Sequence, residues 1–212
     1  MENKIHGVYL VTDRPLCRTH GLAEVVELSA LGGVSLVQLR EKETDSREFL
    51  ELAKHLKKIL TPFAIPLLIN DRLDICLAAG ADGVHLGQSD LPWQEARRIL
   101  GNNAIIGLSL ETKEDYHSLI ETNPKPPLDY LAVSPVFDTN TKTNTKPAWG
   151  LEGLKWLRSK TTIPIVAIGG INESNAETVV KAGADSIAVV SAICSAEDPK
   201  LATEILSKKF HT

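Results

Sequence analysis

The chain has no C-x-x-C pair, no H-E-x-x-H, no G-x-S-x-G and no apolar run that approaches the length of a membrane span. Each absence removes a class of protein. The three cysteines, Cys17, Cys76 and Cys194, are odd in number and widely spaced, which argues against a disulfide framework and against a structural zinc site. With 23 basic and 27 acidic side chains the net charge is −4, so there is no bulk field for nucleic acid or an anionic membrane. An anionic ligand can still be held where a few cations converge. Met1 to Val11 carries one lysine and no long apolar core, which does not read as a signal peptide. The expectation is a soluble cytoplasmic protein with small-molecule ligands. A homo-oligomer is compatible with the sequence, and nothing in it separates an interface from ordinary surface.

The composition, 43 % AVILMFWYC and 24 % charged over 212 residues, is that of a globular chain and is most simply one domain, 1–212. Its strongest pattern is alternation. Short runs rich in Val, Ile and Leu occur at Val8–Thr12, Leu36–Arg40, Pro66–Asn70, Gly83–Gly87, Ile105–Ser109, Tyr130–Ser134, Ile165–Gly169 and Ile187–Ser191. Several are apolar at consecutive positions, as in strands of a parallel sheet covered on both faces. Between them lie segments of helical period. Asp45–Leu60 places Phe49, Leu52, Ala53, Leu56 and Leu60 on one face and leaves Lys54, Lys57 and Lys58 to a solvated one. Asn172–Gly183 opens on a capping residue and closes on glycine, and Pro92–Gly101 has proline first and glycine last.

An internal echo supports eight units. Ala79-Gly80-Ala81-Asp82-Gly83-Val84-His85-Leu86 resembles Ala182-Gly183-Ala184-Asp185-Ser186-Ile187-Ala188-Val189, 103 residues on. Eight β-then-α units with half-chain similarity fit an α/β fold with a single (β/α)8 TIM barrel, small beside the usual length of about 250 residues. An open doubly wound sheet is the competing architecture. The segment Pro135–Gly150, with four Thr and two Asn, has no periodicity and follows the sixth strand, where a long loop is commonly functional. The proline-rich Asn123–Leu128 falls at the opposite end and reads as a rigid connection.

In such a barrel the polar residues at strand ends converge. They are Gln38-Leu39-Arg40-Glu41-Lys42, Asn70-Asp71, Gly87-Gln88-Ser89-Asp90, Ser109, the group Thr139, Thr141 and Lys142, Gly169-Gly170 and Ser191. Gly169-Gly170-Ile171-Asn172 is read as a strand passing directly into a helix, where exposed backbone N–H groups accept an anion; Val190-Ser191 closes the next strand. A tight turn needing positive φ is the plain alternative for the glycines. Asp71 and Asp90 suit Mg²⁺, and Arg40, Lys42 and Lys142 can balance a polyphosphate; helix capping is the alternative for either aspartate. Asp82 and Asp185 precede strands at the far end and read as structural. His85 lies mid-strand, and its side is open. No nucleophile–base pair stands out, so the site looks built for anion binding.

Taken together, Gln38 to Lys42, Asn70-Asp71, Gly83 to Asp90, Ser134-Pro135-Val136-Phe137 with Thr139-Asn140-Thr141-Lys142, and Ile168-Gly169-Gly170-Ile171 resemble the thiamine-phosphate synthase family, in order over almost the whole chain. The resemblance implies a barrel that joins hydroxymethylpyrimidine diphosphate to a thiazole phosphate and releases pyrophosphate. It implies that Gln38, Leu39, Arg40, Glu41, Lys42, Asn70, Ser109 and Lys142 bind the pyrimidine diphosphate, that Asp71 and Asp90 hold Mg²⁺, and that Thr139, Asn140, Thr141, Gly170, Val190 and Ser191 bind the thiazole phosphate. Arg40, Ser109 and Lys142 are then the residues expected to serve the chemistry, a dissociative, carbocation-like step. The family often carries His where Glu111 stands, so no role is carried over there. A thiazole tautomerase of similar sequence and a non-catalytic phosphate-binding barrel are the alternatives. The pair Asp71 and Asp90, Lys142 with its threonine neighbours, and Ser134 before Pro135 favour the synthase.

Overall fold

A computed structural model describes residues 5–139 and 146–210. Eight parallel strands close on themselves in sequence order: β1 (Gly7–Val11), β2 (Leu36–Leu39), β3 (Leu67–Asn70), β4 (Gly83–Leu86), β5 (Ile105–Leu110), β6 (Tyr130–Val133), β7 (Ile165–Ile168) and β8 (Ser186–Val189). The barrel shuts where β8 pairs with β1, Ala188 against Tyr9. Around it run α1 (Leu22–Leu31), α2 (Ser46–Leu60), α3 (Leu73–Ala79), α4 (Trp93–Leu100), α5 (Lys113–Thr122), α6 (Gly150–Lys160), α7 (Ala176–Lys181), α8 (Ser191–Cys194) and α9 (Pro199–Ser207). The open-sheet alternative is thereby excluded. No helix among the described residues is long and apolar enough to cross a membrane.

The strands are apolar on consecutive residues because both faces are covered. Val8, Leu10, Val37, Leu39, Ile69, Val84 and Leu86 pack outward against the helices. Tyr9, Val11, Leu36, Leu68, Ile105, Tyr130, Ala132, Val166 and Ala188 point inward. The amphipathic stripe of α2, Phe49, Ala53, Leu56 and Leu60, is fully buried on the barrel wall, and each large side chain there contributes about 1.5–3 kcal/mol. Asp45 caps this helix by accepting from the N–H groups of Arg47 and Glu48.

One device recurs at the lower rim, where the strands begin. Asp82 accepts the Leu67 N–H at 2.8 Å and pairs with Lys57 of α2. Asp129 accepts the Ile106 N–H at 2.8 Å and pairs with Arg97 of α4 at 2.7 Å. Asp185 accepts the Ile165 N–H at 2.7 Å and pairs with Arg158 of α6 at 2.9 Å. In all three the aspartate's own N–H donates back to the same strand residue. This two-way clamp gives Asp82 and Asp185 their structural role and explains the echo between them. It repeats every two βα units.

The helix expected over Asn172–Gly183 forms only from Ala176 to Lys181. Asn172 caps a turn instead: its Oδ1 accepts from the N–H and hydroxyl of Ser174, and the Asn175 side chain accepts the Asn172 N–H. Short polar side chains that bond locally compete with the first helical turn, and here they win. Two cysteines far apart in sequence, Cys17 and Cys194, are near enough to shift each other, and their thiols donate to the carbonyls of Asp13 and Val11.

Candidate active site at the upper rim

The ends of the strands open onto a cavity of about 1010 Å³ as bounded by the described residues. Gln38, Arg40, Lys42, Asn70, Asp71, Asp90, Ser109, Thr139, Gly170, Val190 and Ser191 line it. Two expected members do not. The Leu39 side chain is wholly buried in the outer core, because strand alternation turns it away from Gln38 and Arg40. The Glu41 carboxylate is engaged outward by Arg14 at 3.1 Å and by the Thr44 hydroxyl at 2.6 Å. Any contact of either with a ligand is confined to its backbone. Asn140, Thr141 and Lys142 lie outside the described residues.

At one side of the cavity the ends of β3 and β4 bring two acids together. Asp71 sits at φ +61°, a left-handed conformation that aspartate tolerates better than most residues. Its N–H donates to the His85 carbonyl at 2.9 Å. Lys42 Nζ donates to Asp71 Oδ2 at 2.6 Å, and the Asp71 and Asp90 carboxyls share a hydrogen bond. Burial raises the Asp71 carboxyl, yet the bonds from Lys42 and Asp90 carry it below the usual range. Asp90 moves the other way, pushed up by burial and by the neighbouring Asp71, despite the Gly87 N–H that donates to it at 2.7 Å. Two carboxylates this close are stable only with a proton or a cation between them. Arg40 stands nearby, with Asp13 3.9 Å from its guanidinium.

At the other side β7 and β8 end in a shallow cup. Gly169 and Gly170 adopt φ of +105° and +67°. A Cβ at 169 would lie 2.6 Å from Pro135 Cβ, and one at 170 would lie 2.7 Å from the Asp138 carbonyl. Both the turn and the close approach of the loop after β6 therefore require glycine. The expected direct entry into a helix is corrected by the Asn172–Asn175 turn. The groups that could hold an anion here are thus backbone N–H groups of the turn and of the β8 end, not a helix terminus after β7. The N–H groups of Gly170 and Ser191 have no hydrogen-bond acceptor among the described residues.

Sequence reasoning missed Tyr9 and Tyr130 and left His85 open. All three point into the barrel and join Gln38 to Ser109 through hydrogen bonds. An aromatic residue in an apolar strand reads as core, which Tyr130 also is. The usable signal was Gly107: a Cβ there would fall 1.9 Å from the Tyr130 ring, so a glycine in mid-strand marks where that ring passes.

The model for the family described as thiamine monophosphate synthase matches residues 8–193. The thiamine-phosphate synthase of Leptospira biflexa serovar Patoc is 71 % identical over 210 residues, covering 99 % of this chain and 100 % of that one. The thiamine-phosphate synthase of Albidiferax ferrireducens is 54 % identical over 195 residues, covering 92 % of this chain and 87 % of that one. Among solved structures, thiamine phosphate pyrophosphorylase from Pyrococcus furiosus superposes with a TM-score of 0.86 at 38 % identity, covering 99 % of this chain and 96 % of that one.

Proposed function

The chain belongs to the thiamine monophosphate synthase family, and from that premise we propose how its cavity performs the reaction. The protein is a transferase of thiamine biosynthesis. It condenses 4-amino-5-hydroxymethyl-2-methylpyrimidine diphosphate with thiazole phosphate to give thiamine phosphate and pyrophosphate. The observation that carries the reading is that one cavity holds two separate polar ends, an acid pair flanked by Lys42 and Arg40 and a backbone cup at Gly170 and Ser191. They suit a diphosphate and a phosphomonoester respectively.

Asp71 and Asp90 fit Mg²⁺, which takes oxygen ligands and commonly needs only one or two carboxylates, the rest coming from substrate phosphate and water. No cluster of three or more His, Cys, Asp or Glu that could hold a metal occurs among the described residues, so the protein would supply just this pair. The ion would neutralise charge on the diphosphate.

The remaining work falls to side chains. Arg40 and Lys42, with Lys142, stabilise negative charge as the carbon–oxygen bond to the diphosphate breaks. Gln38, Asn70 and Ser109 hold the pyrimidine so that its amino group can feed electrons to the departing methylene carbon. Thr139, Asn140 and Thr141, with the N–H groups at Gly170, Val190 and Ser191, fix the thiazole phosphate. The thiazole nitrogen lone pair then forms the new carbon–nitrogen bond. That nitrogen carries no proton, so no general base is needed, and orientation with electrostatics suffices.

A two-substrate assay with and without Mg²⁺ tests this. Metal-dependent appearance of pyrophosphate and thiamine phosphate in equal amounts is expected. Isomerisation of the thiazole phosphate alone would instead identify a tautomerase, and ligand binding without turnover a phosphate-binding barrel.

A further inference from the structure

Past the end of β6 the chain continues as Pro135–Asp138 and lies against the turn after β7. The Val136 N–H donates to the Ile168 carbonyl at 2.8 Å, and the Phe137 N–H to the Gly169 carbonyl at 3.1 Å. Phe137 Cβ and the Asp138 carbonyl crowd Gly170 so closely that a Cβ there would meet them at 2.8 and 2.7 Å. Where this stretch lies therefore sets the shape of the Gly169–Gly170 cup. The stretch is itself held by Trp149. The Trp149 backbone N–H donates to the Pro135 carbonyl at 2.9 Å, and the next N–H, of Gly150, to the Val136 carbonyl at 3.0 Å.

Those two bonds are backbone bonds, and the tryptophan side chain adds a third. Its indole N–H, which can only donate, bonds to the Glu111 carbonyl at 3.0 Å. Glu111 follows β5 directly, two residues beyond Ser109. Its own N–H and that of Thr112 both donate to Asp115 Oδ2 at 2.8 Å, where Thr112 and Asp115 form the capping box of α5. The Glu111 carbonyl is thus a fixed post. The indole ring is seated too. It meets Trp156 of α6 at 6.2 Å between centroids, and Trp156 meets Tyr116 of α5 edge-on at 5.7 Å. Gly153, buried in α6, leaves room for the ring, since a Cβ there would lie 3.1 Å from both Cβ and Cε3 of Trp149. Glycine is a poor helix former, and the seat for the indole accounts for it here.

We propose that Trp149 is a positioning residue for the thiazole phosphate: its indole N–H, anchored on the end of β5, fixes Pro135–Asp138 and through them the Gly169–Gly170 cup. It stands behind the described residues that line the cavity and acts through them. The indole bond runs from the strand that carries Ser109, on the pyrimidine side, to the stretch that shapes the phosphate cup. It thereby keeps the two ends of the cavity at a set separation, which bond formation between two bound substrates requires. The proposal rests on the reading that the cup takes the thiazole phosphate.

The test uses the full-length protein. Trp149→Phe keeps an aromatic ring and both backbone bonds and removes only the indole N–H. KM for the thiazole phosphate, at saturating pyrimidine diphosphate, is expected to rise about ten-fold. The kcat and the KM for the pyrimidine diphosphate should stay within about two-fold, the pattern of lost ground-state binding. Gly153→Ala keeps the indole N–H but pushes its ring, and should raise the same KM about three-fold. That variant adds helix propensity, so a looser α6 would not account for the rise, and it covers the case in which Trp149→Phe does not fold. Trp156→Phe disturbs the same ring packing without touching the Glu111 bond, and should leave that KM within about two-fold. An unmoved thiazole phosphate KM in the folded Trp149 and Gly153 variants, or an equal rise in Trp156→Phe, overturns the proposal. Kd for the thiazole phosphate, titrated with pyrophosphate and Mg²⁺ present, follows the cup without turnover. A parent that makes no thiamine phosphate, while Kd still weakens in the Trp149 and Gly153 variants, would overturn the assigned reaction and uphold the role of Trp149. A parent that also binds no thiazole phosphate would overturn both.

Discussion

At the lower rim of the barrel each of three aspartates faces a backbone N–H and one cation; at the upper rim two aspartates face each other. Asp82, Asp129 and Asp185 are each matched by a strand N–H and by Lys57, Arg97 or Arg158. In each, one carboxylate oxygen takes both donors inside the fold. Asp71 and Asp90 have Lys42 and the Gly87 N–H between them, and Asp90 is still pushed up by burial and by the neighbouring Asp71. The residue type is the same at both ends. A matched carboxylate holds strands in register, whereas a like-charged pair destabilises the empty protein and is relieved by a cation.

The largest effect expected from this contrast is on turnover. Asp90→Asn should lower kcat/KM by about 100- to 1000-fold, as removal of a charge-stabilising group does, read as the rate of pyrophosphate release. Its unfolding midpoint should not fall. Asp185→Ala should do the reverse, losing about 1–3 kcal/mol in urea denaturation through an unpaired Ile165 N–H and an Arg158 without its carboxylate, with kcat/KM within about two-fold of the parent. Equal damage to turnover by both would break the contrast.

Glycines sharpen the comparison at a smaller scale. Gly170→Ala would drive a Cβ into the Asp138 carbonyl and Phe137 Cβ at 2.7 and 2.8 Å, at a φ of +67°. Displacing the loop after β6 should raise KM for the thiazole phosphate about ten-fold, because a phosphate-positioning contact is lost. Gly183→Ala at the lower rim meets the flexible Arg158 side chain, with Cγ at 2.7 Å and φ at +108°. It should cost about 1 kcal/mol of stability and leave both KM values alone. Steady-state kinetics beside thermal melts separates the two outcomes.

The rims were not equally legible in the sequence. Eight apolar runs gave the strands within a residue or two, because burial on both faces leaves a plain signature. Asp82 and Asp185 declared themselves through the repeated Ala-Gly-Ala-Asp. Asp129 does the same work, but prolines and Leu128 precede it, so nothing local marks it; only the register of β5 and β6 does. The upper rim was readable as a set of polar strand ends, since strand alternation sends Gln38, Arg40 and Asn70 inward. It was not readable where contacts join distant strands. Tyr9 and Tyr130 are 121 residues apart and look like core until their hydroxyls are seen to meet. Asn172 shows the opposite failure: its local signal predicts a helix start, yet side-chain bonds to Ser174 hold a turn.

The smallest predicted effect tests the empty acid pair by pH. Asp90 is pushed above the usual carboxyl range, by burial and then by Asp71. A carboxyl with a raised folded pKa favours folding fully below its unfolded value of about 3.9 and loses that contribution as pH rises through the folded value. Asp71, held low by Lys42 and Asp90 against its burial, has the opposite sign, contributing above its unfolded value and losing that contribution on acidification. In metal-free protein above its folded value Asp90 therefore opposes folding. Asp90→Asn should melt about 1–3 °C above the parent there. The difference should shrink as pH falls toward the ordinary carboxyl range, where Asp90 is protonated in both folded and unfolded chains and behaves like the amide. Adding Mg²⁺ at neutral pH should reverse the order, since the parent gains a bound ion that the variant holds poorly. A variant that melts below the metal-free parent at neutral pH would mean that Asp90 is matched after all, as the lower-rim aspartates are.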